Sequence, residues 1–374
     1  MHKNNIGTMR YLAALMVLYG HGYNLCLGKH GWLDPISGCL KSISPYKRAL
    51  PGLGVMLFFV MSGYLITASF IRRGHLVDYF VARILRIYPA LIMAVLFCVL
   101  VVGLHVTELP KSAYLLHKQT LEYLFFNGSL INIQFNLPGV FNTLPWKGGI
   151  NGSLWTLPIE FLMYVLVGAA GLIGLFKKPW IFNLLAAGII LFGLIKPDNN
   201  LLLLKPGHIH MSLSFLFGSI LYVNKERIPL NLYGVVLLAG VSFLLWKTPY
   251  YHVVALSCYA YLIMLTSMHP RIRLPRLDKY GDFSYGLYLY AFPLQQLSIY
   301  YLGHRSPNLI NATALAGAMG MAFISWHVIE KRALSYKETL SRQISSYMGI
   351  LRIKPKNILS TNLVRADAAK ARRD

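Results

Sequence analysis

Arg10 and His21 stand eleven residues apart in the first apolar segment of the chain, with only two tyrosines as further ionisable groups from Met9 to His21. At about 100° per residue and about 1.5 Å rise, eleven residues return to within about 20° of the start and span about 16 Å. The two side chains therefore share one face of one helix at different depths. Histidine suits proton transfer near neutral pH, and arginine suits bidentate binding of phosphates. An ionisable residue inside a bilayer is costly and marks a functional site or pathway by default. Two on one face describe a track running inward from one membrane surface. The structural alternative is an arginine snorkelling to headgroups and a histidine bonded to a neighbouring carbonyl.

Four further constellations follow along the chain. Small Ser62 and Gly63, in Phe58-Phe59-Val60-Met61-Ser62-Gly63-Tyr64, let another backbone approach closely. Arg83 and Arg86, just ahead of Tyr88-Pro89, lie at i and i+3 on one helix face. They suit topology and lipid phosphate, or with Arg10 a clamp for a phosphorylated cofactor. Glu160 is a carboxylate inside an expected span, two residues after Pro158, which is expected to loosen the helix there. It is a candidate partner for His21 or a buried arginine. Trp155 and Ser153 precede it, and Trp155 suits the outer interface. Last comes a tyrosine-rich segment holding Tyr285, with Gln295 and Gln296 deep in the same span. These can bond a hydroxylated acceptor or simply a neighbouring helix. Glu330, near the end of the last span, is expected to pair with inner-edge cations.

The elements that must position these groups are helices. The chain has 374 residues, is 56% hydrophobic and only 13% charged, far below the roughly 25% charge of soluble domains. About ten apolar stretches of roughly 20 residues can cross a hydrocarbon core: 8–27, 51–71, 88–106, 153–175, 179–195, 208–223, 230–246, 251–268, 282–302 and 309–331. The expected fold is all-α, a polytopic integral membrane bundle. With the N-terminus inside, roughly two thirds of the Lys and Arg fall on the inner side, which makes both termini cytoplasmic. The net charge of +23 thereby reads as topology and attraction to anionic lipid headgroups, not nucleic-acid binding.

Residues 1–333 form the expected membrane domain, and 334–374 a basic cytoplasmic tail, amphipathic and then disordered. About 40 residues leave no room for a soluble catalytic domain. The long connection 107–152, amphipathic near 113–126, is a candidate binding loop. Cys26, Cys39, Cys98 and Cys258 form no metal-spaced cluster, so no metal is expected. Cys26 and Cys39 would share the outer side, where pairing is open.

Taken in order, these segments resemble the acyltransferase type 3 family of membrane-bound O-acyltransferases. The matching features run from Arg10 to about Arg332. They are Arg-x10-His, Phe-Phe-x-x-Ser-Gly-Tyr, Arg-x-x-Arg, Ser-Leu-Trp-Thr-Leu with its following Glu, Ser-Tyr-Gly-Leu-Tyr-Leu and the final Ile-Glu-Lys. The resemblance implies a ten-span enzyme of the bacterial inner membrane. It would take an acyl group, usually acetyl, from cytosolic acetyl-CoA and attach it to a hydroxyl of a surface or lipid-linked saccharide such as lipopolysaccharide O-antigen or exopolysaccharide. It implies that Arg10 and His21 are the essential pair and that Arg83 and Arg86 bear on acyl-CoA use. The chain departs from the family at Ala291, where many members carry His.

On this reading Arg10, Arg83 and Arg86 bind the phosphates of CoA and His21 is the general base, with Glu160 orienting it. Ser153, Trp155, Tyr285 and Gln295 are candidates for substrate contact. The expected partners are acyl-CoA, a saccharide acceptor, membrane lipids and a second copy in a homo-oligomer. The rivals are a transporter or flippase of a lipid-linked saccharide, which intramembrane charges also fit, and a membrane scaffold. The absence of a visible internal repeat counts against transport.

Overall fold

The computed structural model describes residues 4–28, 34–43, 49–195, 208–303 and 306–348. These residues form helices, and the only extended pairing among them is a single bridge between Asn136 and Gly149. In chain order they are α1 (Ile6–Leu27), α2 (Pro35–Ile43), α3 (Leu50–Arg73) and α4 (Leu76–Leu96), which runs on through a π turn into α5 (Leu104–Val106). Then come α6 (Lys111–Leu116), α7 (Lys118–Ser129), α8 (Leu157–Leu172), α9 (Pro179–Ile195), α10 (Ile209–Val223), α11 (Leu232–Leu244) and α12 (Tyr251–Met268). The last are α13 (Ser284–Leu302), α14 (Pro307–Ile324), α15 (Lys331–Ser335) and α16 (Lys337–Tyr347).

A helix stands at each of the ten expected positions, and among the described residues five helical stretches are long and apolar enough to cross a membrane: Leu50–Arg73, Leu76–Val106, Gly152–Leu172, Tyr251–Met268 and Pro307–Tyr347. Neither α1 nor α13 is among them, and these two carry Arg10, His21, Tyr285, Gln295 and Gln296. Both are packed against other helices along much of their length, with Leu12 and Leu27 of α1 and Tyr300 and Tyr301 of α13 left exposed. In α13 every residue from Ser284 to Pro293 is buried, so its hydroxyls and amides meet other helices instead of lipid. Three of the expected spans are short: α9 has 17 residues, α10 15 and α11 13.

Local sequence explains several boundaries. Pro158 falls in the first turn of α8 and opens that helix instead of loosening it, because proline's missing N–H is not needed there. Residues Gly152–Thr156 ahead of it form a 3-10 turn. The third span begins twelve residues earlier than expected, because α4 tolerates Pro89 in its interior. Gly74 ends α3 in the left-handed conformation and donates to the Phe70 carbonyl.

Packing is closest between α3 and α10. A Cβ on Gly63 would fall 1.9 Å from the Phe215 carbonyl oxygen, and one on Gly218 2.0 Å from that of Val60. The hydroxyl of Ser219 donates to the Gly63 carbonyl across this contact. The connection 107–152 is packed into the protein, with Leu137, Val140, Phe141, Leu144 and Ile150 buried. Phe141 pays for this with φ of +55°, which a bulky residue rarely adopts. The tail helix α16 is docked on α4, with Ser341 and Ser345 buried and the Ser341 hydroxyl donating to Asp78. Residues 349–374, which include the basic end of the tail, lie outside the described residues. Cys26, Cys39, Cys98 and Cys258 are all free thiols.

Candidate active site

Two cavities lie along one face of α1. The inner one, about 100 Å³, is lined by Arg10 from α1, Phe58 and Ser62 from α3, Arg83 and Arg86 from α4, Thr156, Glu160 and Tyr164 around the start of α8, and Tyr285 and Tyr288 from α13. The outer one, about 420 Å³, is lined by His21 and Asn24 from α1, Phe135, Asn136, Trp146, Lys147 and Gly149 from the long connection, Gly152, Trp155 and Phe292. Their order along each element is the same. Helix α1 gives Arg10 to the inner cavity, toward its N-terminal end, and His21 to the outer one. Helix α13 gives Tyr285 and Tyr288 inside, then Phe292 one turn on.

Aromatic residues wall both. Phe292 meets the His21 ring edge to face, with centroids 5.5 Å apart, and Phe58 meets Tyr288 in the same way at 5.7 Å. The Tyr288 hydroxyl donates to the Ser153 carbonyl at 2.8 Å and lies 2.7 Å from the Thr156 hydroxyl. Gly152 is required here, since a Cβ would lie 2.5 Å from the Phe292 ring.

Charges at the inner end form a network around one carboxylate. Arg10 Nη1 and Arg86 Nη2 both donate to Asp282 Oδ2 at 2.6 Å. Arg86 Nη1 reaches Glu330 Oε2 at 3.2 Å. Ser284 caps the other oxygen of Asp282, and Ser325 donates to Glu330 at 3.0 Å. A π turn over Ser325–Glu330 lies between α14 and α15, and it brings that hydroxyl back onto the carboxylate. Asp282 lies in the connection ahead of α13. Burial alone would raise its carboxyl pKa, but Arg10 and Arg86 outweigh burial and hold it well below the usual carboxylate range. The Arg86 guanidinium also lies over the rings of Tyr285 and Trp326, at 5.5 and 5.9 Å.

Arg83 differs from its two companions. It makes no ion pair among the described residues, its Nε is buried without a hydrogen-bond partner, and its guanidinium lies 5.9 Å above the Tyr164 ring. Of the three arginines in the inner cavity, it is the one without a carboxylate partner among the described residues.

Glu160 faces this inner cavity and not His21. It accepts from Ser62 Oγ at 2.9 Å and from the Tyr164 hydroxyl, in the first turn of α8, where the helix dipole favours a carboxylate. The expectation that it orients His21 is thereby corrected: its carboxylate is held by Ser62 and Tyr164 in the inner cavity, away from the cavity that His21 lines. Tyr285, read as a substrate contact, also lies on the inner side, its hydroxyl donating to the Ile87 carbonyl at 3.1 Å. Gln295 lines neither cavity. Its amide nitrogen bridges the Leu18 carbonyl and Asn311 Oδ1, at 2.7 and 2.8 Å, and ties α1 and α13 to α14. Ser153 is buried beneath the Tyr288 contact, its hydroxyl without a partner. Trp155 does line the outer cavity, its ring stacked obliquely on His208 at 5.3 Å. No group of three His, Cys, Asp or Glu among the described residues is placed to hold a metal.

Sequence reasoning missed Asp282, the hub of the ion network, although it was readable as the acid opening the tyrosine-rich span. It also missed the contribution of Phe135, Trp146 and Lys147, which carries no periodic signal because they lie in irregular backbone.

The family profile described as an acyltransferase domain matches residues 3–329. The chain belongs to the acyltransferase type 3 family and is an O-acyltransferase. It is 28% identical over 351 residues to an O-acetyl transferase of Shigella phage Sf6, covering 90% of this chain and 97% of that one. It is 25% identical over 401 residues to nodulation protein 10 of Rhizobium leguminosarum bv. viciae, covering 92% and 97%. No solved structure matches the chain.

Proposed function

We propose that this enzyme transfers an acetyl group from cytosolic acetyl-CoA to a hydroxyl of a cell-surface or lipid-linked saccharide, in a bacterial inner membrane with both termini cytoplasmic and about ten spans. The observation that carries the reading is the pair of cavities on one face of α1, cationic at Arg10, Arg83 and Arg86 and aromatic around His21. The O-acetyl transferase of phage Sf6 supports acetyl as the group moved.

Arg83 contacts a phosphate of the donor, while Arg10 and Arg86, fixed by Asp282 and Glu330, supply positive potential around it. The narrow pantetheine arm passes Phe58 and Tyr288 and brings the thioester toward His21. Trp146, Trp155 and Phe135 offer flat apolar faces to a sugar ring, and Asn24, Asn136 and Lys147 offer polar contacts to its hydroxyls. His21 accepts the proton of the attacking hydroxyl as its oxygen bonds to the acyl carbon. The C–S bond then breaks, CoA leaves as a thiolate, and the proton held by His21 passes to it. The separation of the thioester from bulk water limits its hydrolysis. Glu160, bonded to Ser62 and Tyr164, shapes the donor side of the passage.

The test is transfer of radiolabel from [acetyl-¹⁴C]CoA into saccharide by membranes containing the chain. Label incorporated by wild type and not by His21→Ala at equal protein level is the expected result. Equal incorporation by both removes His21 from the reaction, and none by either removes acetyl-CoA as donor.

A further inference from the structure

A second cleft, about 230 Å³, opens between the start of α4 and the tail helix α16, lined by Arg73, Asp78, Lys337, Glu338, Ser341 and Arg342. Its wall is fixed, because Ser341 is buried and bonded to Asp78. Arg342 is partly neutralised by Glu338 at 3.6 Å. Arg73 donates through Nε to Ser69 at 3.0 Å. Neither Arg73 nor Lys337 makes an ion pair among the described residues. Both lie within electrostatic range of Arg83 and of each other. Three half-buried cations without ion pairs thus run from this cleft toward the inner cavity, their mutual repulsion offset in part by Asp78 and Glu338 in the same lining.

We propose that the cleft binds the 3′-phosphate of the CoA donor, with the tail helix α16 contributing Lys337 opposite Arg73, while the pyrophosphate lies nearer Arg83. This rests on acyl-CoA being the donor, as read above. The tail is then part of the donor site and not only a membrane-surface anchor. Phosphate chemistry could equally come from an anionic lipid headgroup, and the two sources differ in what removing the 3′-phosphate does.

The measurement is calorimetric binding of CoA and of 3′-dephospho-CoA to the full chain in neutral detergent. Wild type is expected to bind CoA about tenfold more tightly than 3′-dephospho-CoA, the worth of one charge-assisted contact. In Lys337→Gln the preference disappears, because CoA binding falls to the dephospho-CoA level while dephospho-CoA binding holds. Arg332→Gln, exposed and outside the cleft, keeps the preference. Equal affinities in wild type, as a lipid-headgroup site would give, overturn the proposal, and so does a preference that survives Lys337→Gln. No CoA binding at all by wild type overturns the donor reading itself. The ligand comparison in wild type needs no variant to fold.

Discussion

The proposed function puts the chemistry on His21 and Arg83, and their neighbours distinguish them from similar side chains nearby. Replacing His21 with Ala leaves a residue that α1 accommodates readily. The expected outcome is normal membrane insertion with acyl transfer reduced on the order of 10²-fold or more, measured as initial rate at matched protein level. Arg83→Gln is expected to raise the KM for acyl-CoA with little change in melting temperature, since no carboxylate loses its partner. Arg86→Gln strands Asp282 and Glu330 in part, so its expected signature is a loss of stability of about 3 kcal/mol, read by thermal melting in detergent. Identical behaviour of the two variants would contradict the distinction drawn from their ion pairs. Asp282→Asn is expected to cost a similar amount at neutral pH, and its pH dependence follows from the direction of the shift. A carboxyl depressed in the folded state contributes fully above its unfolded pKa of about 3.9, and the contribution is lost as pH falls through the folded value. The melting difference between wild type and Asp282→Asn should therefore be flat from about pH 5 to 8 and shrink below about pH 4. Arg10, His21, Arg83 and Arg86 were legible in the sequence because charges in apolar segments are conspicuous. Glu330 was legible as a partner for inner-edge cations, and Arg86 is that cation; Asp282 was not, because it reaches Arg10 and Arg86 across about 200 residues or more of chain.

Among the elements, α3, α8 and α13 hold the two cavities in register. The closeness of α3 to α10 sets the position of Ser62 and hence of Glu160. Gly63→Ala would press a methyl onto the Phe215 carbonyl, a backbone atom that cannot rotate away. The expected result is destabilisation of about 1–3 kcal/mol and reduced yield of monodisperse protein, checked by size-exclusion profile and melting. The close approach was visible in Ser62-Gly63 as two small residues in an apolar run, but the identity of the facing helix was not. Length and hydropathy placed the helices well where flanks were turn-rich, as at 179–195, reproduced by α9. They failed where the local rule had two outcomes. Proline can open a helix or interrupt one. The sequence reading took Pro89 as near a start and Pro158 as interior, and the structure has them reversed. The tail was legible as amphipathic, yet its seat on α4 depends on two serines, Ser341 and Ser345, whose burial no hydropathy pattern announces.

For the whole molecule, the proposed function assigns the donor to the inner cavity and the acceptor to the outer one, with Phe58, Tyr288 and Phe292 among their walls. The inner cavity is small and charged, about 100 Å³, and the outer is larger and aromatic, about 420 Å³. Such asymmetry suits a small group moving onto a bulky partner. The most direct measurement is proton NMR of the surface polysaccharide from cells that carry the chain, lack it, or carry His21→Ala. O-acetyl signals present only with the wild-type chain, their correlations assigning a sugar hydroxyl, are the predicted result. O-acetyl signals of equal intensity in the His21→Ala cells, or a polysaccharide unchanged by the presence of the wild-type chain, would contradict the account.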